Sequence, residues 1–315
     1  MHVAPRRLGS WGFEVGGIAL GCMSMTGVYD VKQRNDDRSV AAIQRALDLG
    51  MTLVDTADSY GPATNELLVG RATASRPEAI LSTKVGLVGR SDGALLRNGR
   101  PEHITSAATE SLRRLGADRI DLYSLHTIDP DVPLSETWGA MADLVTAGTV
   151  RSLGVVTDDI RVVSFLQQRF PVTAVFAEFS LWNQRSRRLV DWCGARAISV
   201  LATSPLGRGV LTGTIPSSRR FDWTDLRSKL PEFTTESMAQ AGHQVAAAKA
   251  VARRHRATAS QVSLAWVLAQ GDHIIPVAGT RQPEHVEENA RAGELSLSDL
   301  DLRQLAGEDV SAELL

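Results

Sequence analysis

The stretch MTLVDTADSYG, Met51 to Gly61, decides how this chain reads. Its first four residues, Met51-Thr52-Leu53-Val54, form a short run of the kind found in a fully buried strand. Two aspartates and a tyrosine follow directly: Asp55, Asp58 and Tyr60. Acids at a strand end can cap a following helix, and a lone tyrosine can simply pack. The segment therefore gains meaning only from what surrounds it.

Outward from it, apolar runs and helix-like segments alternate. Residues 18–23 read as a strand and 39–49 as an amphipathic helix ended by Gly50. After strand 51–55 come a helix near 64–74, strand 79–84, and helix 101–115 stopped by Gly116. Strand 120–125, helix 135–147 stopped by Gly148, strand 150–156, a helix near 159–169 and strand 172–178 continue the pattern. Helix 186–194, strand 198–202, helices near 236–255 and 258–269, strand 273–277 and helix 283–291 complete it. Glycine just beyond the last apolar position is a usual helix stop. Thr258 and Gln261 have the spacing of a capping box.

Eight strand–helix pairs imply a parallel sheet, and that number favours a closed (β/α)8 barrel over an open doubly wound sheet. No Gly-x-Gly-x-x-Gly follows the first strand, which weakens the open-sheet reading further. Residues 6–16 read as a β-hairpin plugging the N-terminal end of the barrel. Residues 206–235, after the seventh strand, form a long loop rich in Gly, Ser, Arg and Pro, suited to a lid or binding loop. No linker divides the chain, so 1–315 reads as one domain.

Bulk properties narrow the function. Lys and Arg number 34 against 36 Asp and Glu, a net charge of −2. Such a chain has no general electrostatic attraction to nucleic acid or an anionic membrane. No run of about 18 apolar residues is present to span a bilayer. Cys22 and Cys193 are far apart, form no zinc spacing, and fit a reducing cytoplasm. No metal site is expected.

Barrel enzymes draw their reactive groups from the C-terminal ends of several strands. The second strand ends at Asp55 with Tyr60 in its loop, the third at Lys84, the fourth at His126. Singly, Lys84 can be a surface amine and His126 a hydrogen-bonded core histidine. Together, a lysine and an aspartate at adjacent buried strand ends need each other to offset desolvation. A nearby ammonium is expected to lower the phenol from its usual pKa of about 10 and make it a usable general acid. A neighbouring imidazole can orient a carbonyl oxygen. Such a group protonates an oxygen as hydride reaches its carbon. Asp58 has no place in this scheme and reads as a loop-ordering or capping residue.

With these residues in view, the chain resembles the aldo-keto reductase family over almost its whole length. The likeness is carried by residues 54–72 (VDTADSYGPATNELLVGRA), 82–86 (STKVG), 111–133 (SLRRLGADRIDLYSLHTIDPDVP) and 144–156 (LVTAGTVRSLGVV). Residues 178–183 (EFSLWN), 204–213 (SPLGRGVLTG) and 275–292 (IPVAGTRQPEHVEENARA) extend it. The resemblance implies NADPH-dependent reduction of an aldehyde or ketone on a small-molecule substrate. It implies a catalytic tetrad of Asp55, Tyr60, Lys84 and His126, with Tyr60 as proton donor. It also implies that Gly279, Thr280 and Arg281 hold the cofactor's 2′-phosphate, with Glu288 and Asn289 on adenine. A helix N-terminus beside a guanidinium is a sound phosphate site. Ser204, Leu206, Gly207 and Arg208 would lie near the pyrophosphate under the 206–235 loop. Met25, Tyr29, Trp182 and residues 214–235 are candidates for lining the substrate pocket.

The nicotinamide end departs from the family pattern. Val156 and Thr157 stand where polar residues such as Ser and Asn are usual, Phe176 where Gln is usual, and Thr203 where an aromatic residue is usual. Val156 and Phe176 offer no side-chain hydrogen bond to a carboxamide. Two alternatives to the reductase therefore stay open. One is a redox-neutral lyase, dehydratase, isomerase or cyclase using Tyr60 as acid. The other is a non-catalytic sensor or partner subunit.

Overall fold

The computed structural model describes residues 3–10, 13–61, 63–89, 95–310 and 313. Trp11 and Gly12 at the expected hairpin turn, and Pro62 within the 54–72 motif, lie outside these residues. Strand β1 (Pro5–Leu8) and β2 (Phe13–Gly16) pair antiparallel. β3 (Ala19–Gly21), β4 (Leu53–Asp55) and β5 (Ile80–Val85) then open the barrel. A second antiparallel pair, β6 (Leu87–Gly89) and β7 (Leu95–Arg97), follows β5. The barrel continues with β8 (Ile120–Leu125), β9 (Val150–Val156), β10 (Ala174–Glu178), β11 (Ser199–Thr203) and β12 (Ile274–Gly279). These eight strands close as β3-β4-β5-β8-β9-β10-β11-β12, every pair parallel.

Helices α1 (Asp36–Asp48), α2 (Thr64–Thr73), α3 (Pro101–Leu115), α4 (Leu134–Thr146), α5 (Ile160–Gln167) and α6 (Arg187–Gly194) return the chain between strands. α7 (Thr235–Gln240), α8 (Gly242–His255) and α9 (Ala259–Leu268) precede β12; α10 (Pro283–Ala290) and α11 (Asp299–Leu305) follow it. Local chemistry sets their ends. Asn35 caps α1 by accepting from the Arg38 amide, and Gly116 ends α3 at a left-handed φ of 62°. The expected capping box of Thr258 and Gln261 forms at α9.

The barrel interior is filled by Ala19, Leu53, Leu122, Ala174, Phe176, Leu201, Ile275 and Val277. Leu8, Phe13 and Val15 of the hairpin join this cluster, so the hairpin does plug one end. The outward strand residues, such as Tyr123, Leu125, Val155 and Val175, pack against the helices. The chain also differs from its sequence reading. The expected helix near 236–255 is two helices, α7 and α8, and neither the β6–β7 pair nor α11 was foreseen. β7 is exposed along its length, so no buried run announces it. The 206–235 segment is not irregular throughout. It holds short 3-10 turns at Gly207–Thr212, Leu226–Lys229 and Pro231–Phe233 over a small cluster of Val210, Phe233, Met238 and Ala241. Among the described residues no helix is long and apolar enough to cross a membrane.

One buried side chain fastens the loops that face the C-terminal mouth. Asn65, on α2, accepts from the Thr56 hydroxyl (2.6 Å) and donates to the Cys22 carbonyl (2.9 Å) and the Thr26 hydroxyl (2.7 Å). It thereby ties the loops after β3 and β4 to one helix. Asn65→Ala is expected to destabilise the fold by about 2–4 kcal/mol, because buried partners lose their hydrogen bonds. Urea denaturation measures this; a loss under about 0.5 kcal/mol, the range of an ordinary surface change, would contradict it.

Candidate active site

Strand register brings the reactive groups together. Asp55 at the end of β4 sits opposite Ser82 on β5. Side chains repeat every second residue along a strand, so Ser82 and Lys84 face the same way. Lys84 in turn sits opposite Ser124 on β8, and His126 follows two residues later. Each step to the next strand advances the functional position by two residues, and all three arrive at the same mouth.

The resulting contacts are close. Lys84 Nζ donates to both Asp55 oxygens (2.7 and 2.6 Å) and to the Thr56 carbonyl (2.8 Å). The Ser82 hydroxyl donates to Asp55 Oδ1 at 2.8 Å. Lys84 is 2% exposed and Asp55 5%, so this ion pair is almost fully withdrawn from water. Lys84 Nζ lies 5.3 Å from the Tyr60 ring centroid. The Tyr60 and His126 rings meet edge to face, 5.8 Å apart at 81°. Ser59 Oγ is 3.3 Å from His126 Nδ1. With serine as the donor there, the imidazole proton sits on Nε2.

The electrostatics follow from burial. Burial pushes the Lys84 ammonium down, but Asp55 and Tyr60 outweigh it and hold the amine charged, above its ordinary value. Burial raises the Tyr60 phenol; Lys84 pulls it back through charge and hydrogen bonding, yet the balance stays above the ordinary value. This corrects the sequence expectation of a lowered phenol: desolvation exceeds the pull of the ammonium. The phenol therefore keeps its proton at neutral pH, as a proton donor requires. His126 is pushed down to about 3, by burial first and then by the Lys84 charge. It is a neutral imidazole that can donate one hydrogen bond.

Other predicted residues fall nearby. Phe176, buried at 1% exposure on β10, turns into the barrel, where Lys84 Nζ stands 4.6 Å from its ring centroid. Val156 sits opposite it on β9 and is half-buried. The Thr157 hydroxyl accepts from the Asp159 amide, and half-buried Thr203 pairs with Glu178. Ser204 and Arg208 both adopt left-handed φ values of 50°, a strained conformation for non-glycine residues. The Gly207 and Gly209 amides bond inward, to the carbonyls of Ser204 and half-buried Leu206. Arg208 is clamped by two carboxylates, Glu178 (2.8 and 3.2 Å) and Glu232 (3.0 Å).

At the start of α10, Arg281 donates to the carbonyls of Tyr29 (3.0 Å) and Asp30 (3.5 Å) and to Gln33 Oε1 (3.4 Å). It borders a cavity of about 160 Å³ lined by Gln33, Asn35, Arg38, Arg281 and Gln282. Gly279 ends β12, and buried Thr280 accepts from the Gln282 amide at 3.1 Å. Glu288 accepts from the Thr258 hydroxyl (2.6 Å), beside buried Asn289. Of the suggested pocket residues, Met25 is fully buried in the core, Trp182 packs edge-on against Phe233, and Tyr29 lies under Arg227. Among the described residues no group of three or more His, Cys, Asp or Glu could hold a metal ion.

Ser59, Ser82 and Asn65 were missed by sequence reasoning. Serine and asparagine in loops are too common to signal a role, although the Asp55–Ser82 register could have exposed Ser82. Asp58 gains significance as well. Its carboxyl is pushed up to about 7 by burial and then by Glu66, a fully buried acid paired with Arg114 (2.6 Å) and Thr83 (2.6 Å).

The aldo/keto reductase family model matches residues 17–308. A probable aldo-keto reductase 1 from Glycine max is 34% identical over 312 residues, 96% of this chain and 88% of that protein. The Schizosaccharomyces pombe aldo-keto reductase yakc [NADP(+)] is 32% identical over 323 residues, 100% of this chain and 94% of that one. Among solved structures, a glycerol dehydrogenase from Gluconobacter oxydans superposes with a TM-score of 0.88 at 28% identity, covering 96% and 94% of the two chains. An aldo-keto reductase from Klebsiella pneumoniae in complex with NADPH gives 0.75 at 26% identity, covering 97% and 95%.

Two measurements check the electrostatics. The His126 imidazole is expected to stay neutral down to pH 5 in an NMR titration, whereas a midpoint near the ordinary 6.5 would contradict its burial. Asp58 works on stability in the opposite sense to a paired carboxylate. Its folded carboxyl holds a proton up to about pH 7, so stability falls as pH rises from the ordinary carboxylate range to that value. Asp58→Asn should therefore stabilise the protein at pH 8 and lose that advantage at pH 4, read from denaturation midpoints at the two pH values.

Proposed function

The chain belongs to the aldo/keto reductase family, and from that premise we propose that it reduces an aldehyde or ketone group of a small molecule with NADPH, Tyr60 donating the proton. The observation that carries the reading is the buried Asp55–Lys84 pair beside a protonated phenol and a neutral imidazole. NADPH, when bound, would supply the hydride for the carbonyl carbon. The chain's own groups handle the oxygen. His126 hydrogen-bonds it and sets its direction. Tyr60 transfers its proton to it, and the phenolate left behind is stabilised by the Lys84 ammonium. Asp55 keeps that ammonium charged and in place throughout. Preset charges of this kind lower a barrier without reorganising during the reaction.

The residues present fit the anionic end of the cofactor. Arg281 and Arg38 border a cavity at the N-terminal end of α10, and among the described residues Arg281 donates to neutral acceptors. A 2′-phosphate would be a better partner for it than a carbonyl oxygen. Glu288 and Asn289 on the same helix suit adenine. The nicotinamide end has less to hold it, since Val156 and Phe176 carry no polar side-chain atom and the Thr157 hydroxyl already accepts from the Asp159 amide. Cofactor affinity is thus expected to reside mainly in the adenosine half.

Tyr60→Phe is expected to lower carbonyl-dependent oxidation of NADPH by roughly 10²–10⁴-fold while NADPH still quenches protein fluorescence. Arg281→Ala should weaken NADPH by about 10- to 100-fold and NADH by less than threefold, from loss of a charge-assisted hydrogen bond. Equal weakening of both would remove the 2′-phosphate assignment. Turnover of a substrate by the wild type without loss of NADPH, abolished in Tyr60→Phe, would replace the reductase with a redox-neutral enzyme. Failure to bind either cofactor, together with indifference to Tyr60→Phe, would leave a binding role.

A further inference from the structure

Phe176 has one unusual neighbour. It lies on β10, three strands around the barrel from Lys84 on β5, yet Lys84 Nζ stands 4.6 Å from its ring centroid. The ring therefore reaches the ammonium across the barrel interior, from a strand that supplies none of Asp55, Tyr60, Lys84 and His126. It is 1% exposed and packs with Leu122, Leu201 and the other interior side chains. We propose that Phe176 is a positioning residue that holds the Lys84 ammonium through the face of its ring.

The chemistry favours a ring at this point. The hydrogen-bond acceptors around Nζ are Asp55 Oδ1 and Oδ2 and the Thr56 carbonyl, and Tyr60 also draws on it. An ammonium has only three hydrogens to share among them. A polar side chain from β10 would compete, as another acceptor for those hydrogens or as a donor turned against them. A ring face attracts the charge without taking a hydrogen bond, and the attraction is strongest where water is excluded. The ring also closes the interior side of the ammonium to solvent. The residue that looked like a lost cofactor contact thus gains a role in the proton-delivery machinery.

This role rests on Tyr60 and Lys84 acting as proposed above, and the two can be tested apart. The ionisable groups facing Lys84 are Cys22 from the loop after β3, Asp55 of β4, Asp58 and Tyr60 from the following loop, and His126 after β8. Any change in Lys84 titration is read against that fixed set. Phenylalanine at 176 is replaced by mono-, di- and trifluorinated phenylalanine, which keep the shape of the ring but progressively cancel the negative charge on its face. The Lys84 ammonium is followed by nitrogen-15 NMR, and kcat by NADPH oxidation with an accepted carbonyl substrate. The expected result is a stepwise fall in the ammonium's titration midpoint. A matching fall in kcat is expected, about tenfold across the series, with the protein still folded and its thermal midpoint lowered by only a few degrees. Phe176→Leu should match the trifluorinated protein. A flat ammonium series overturns the contact. A falling ammonium series with constant kcat overturns the positioning role. If the wild type reduces no carbonyl, the reductase reading fails, and the ammonium series alone decides whether the ring holds Lys84.

Discussion

The Asp55–Lys84 ion pair is the constraint around which the mouth of this barrel is arranged. Two opposite charges sit almost wholly out of water, 2.6 Å apart. Desolvating such a pair costs several kcal/mol per ion, and the mutual attraction often does no more than offset it. Stability alone gives little reason to keep it, because well-packed apolar residues do as well. Its value is electrostatic. A carboxylate with two oxygens on one ammonium, braced by the Ser82 hydroxyl and the Thr56 carbonyl, fixes a positive charge beside the Tyr60 phenol. That charge is in place before any substrate arrives.

Burial acts on every group in the site and produces three different outcomes. It disfavours whichever form is charged, so it raises the phenol and lowers both the imidazole and the amine. Only the amine has a carboxylate in direct contact, and only the amine stays charged. The phenol remains a proton donor and the imidazole remains neutral. Division of labour among Tyr60, Lys84 and His126 thus needs no special device for each. It follows from one dry pocket and one well-placed acid.

Much of this was legible in the residues, for a physical reason. Barrel strands are buried on both faces, so they appear as continuous apolar runs, and functional groups stand where those runs end. Asp55, Lys84 and His126 could be found that way, and Tyr60 by its place in the loop after Asp55. What stayed hidden is what does not follow from local pattern. The β6–β7 pair is short and solvent-facing, and the break at Ala241 between α7 and α8 carries no proline or glycine until Gly242. Ser82 on Asp55 and Ser59 on His126 are serines, which a sequence offers everywhere. The direction of the Tyr60 shift was misjudged because an adjacent charge is visible in a motif, whereas the depth of burial belongs to the whole barrel.

The same distinction explains how Phe176 and Arg281 complement each other. In family terms Phe176 is a departure, and a linear reading can register only the polar group it lacks. In three dimensions the side chain lies in the barrel interior. It crosses the barrel to the ammonium on the opposite side. In the proposed role Phe176 offers no hydrogen bond to a carboxamide, and the grip on a cofactor would lie elsewhere. On the proposed reading, Arg281 at the start of α10, facing a cavity shared with Arg38, would offer it through a phosphate. Anchoring a dinucleotide by its adenosine end leaves the reacting end free of side-chain hydrogen bonds from Val156 and Phe176. The interior of the barrel can then be spent on keeping one lysine charged.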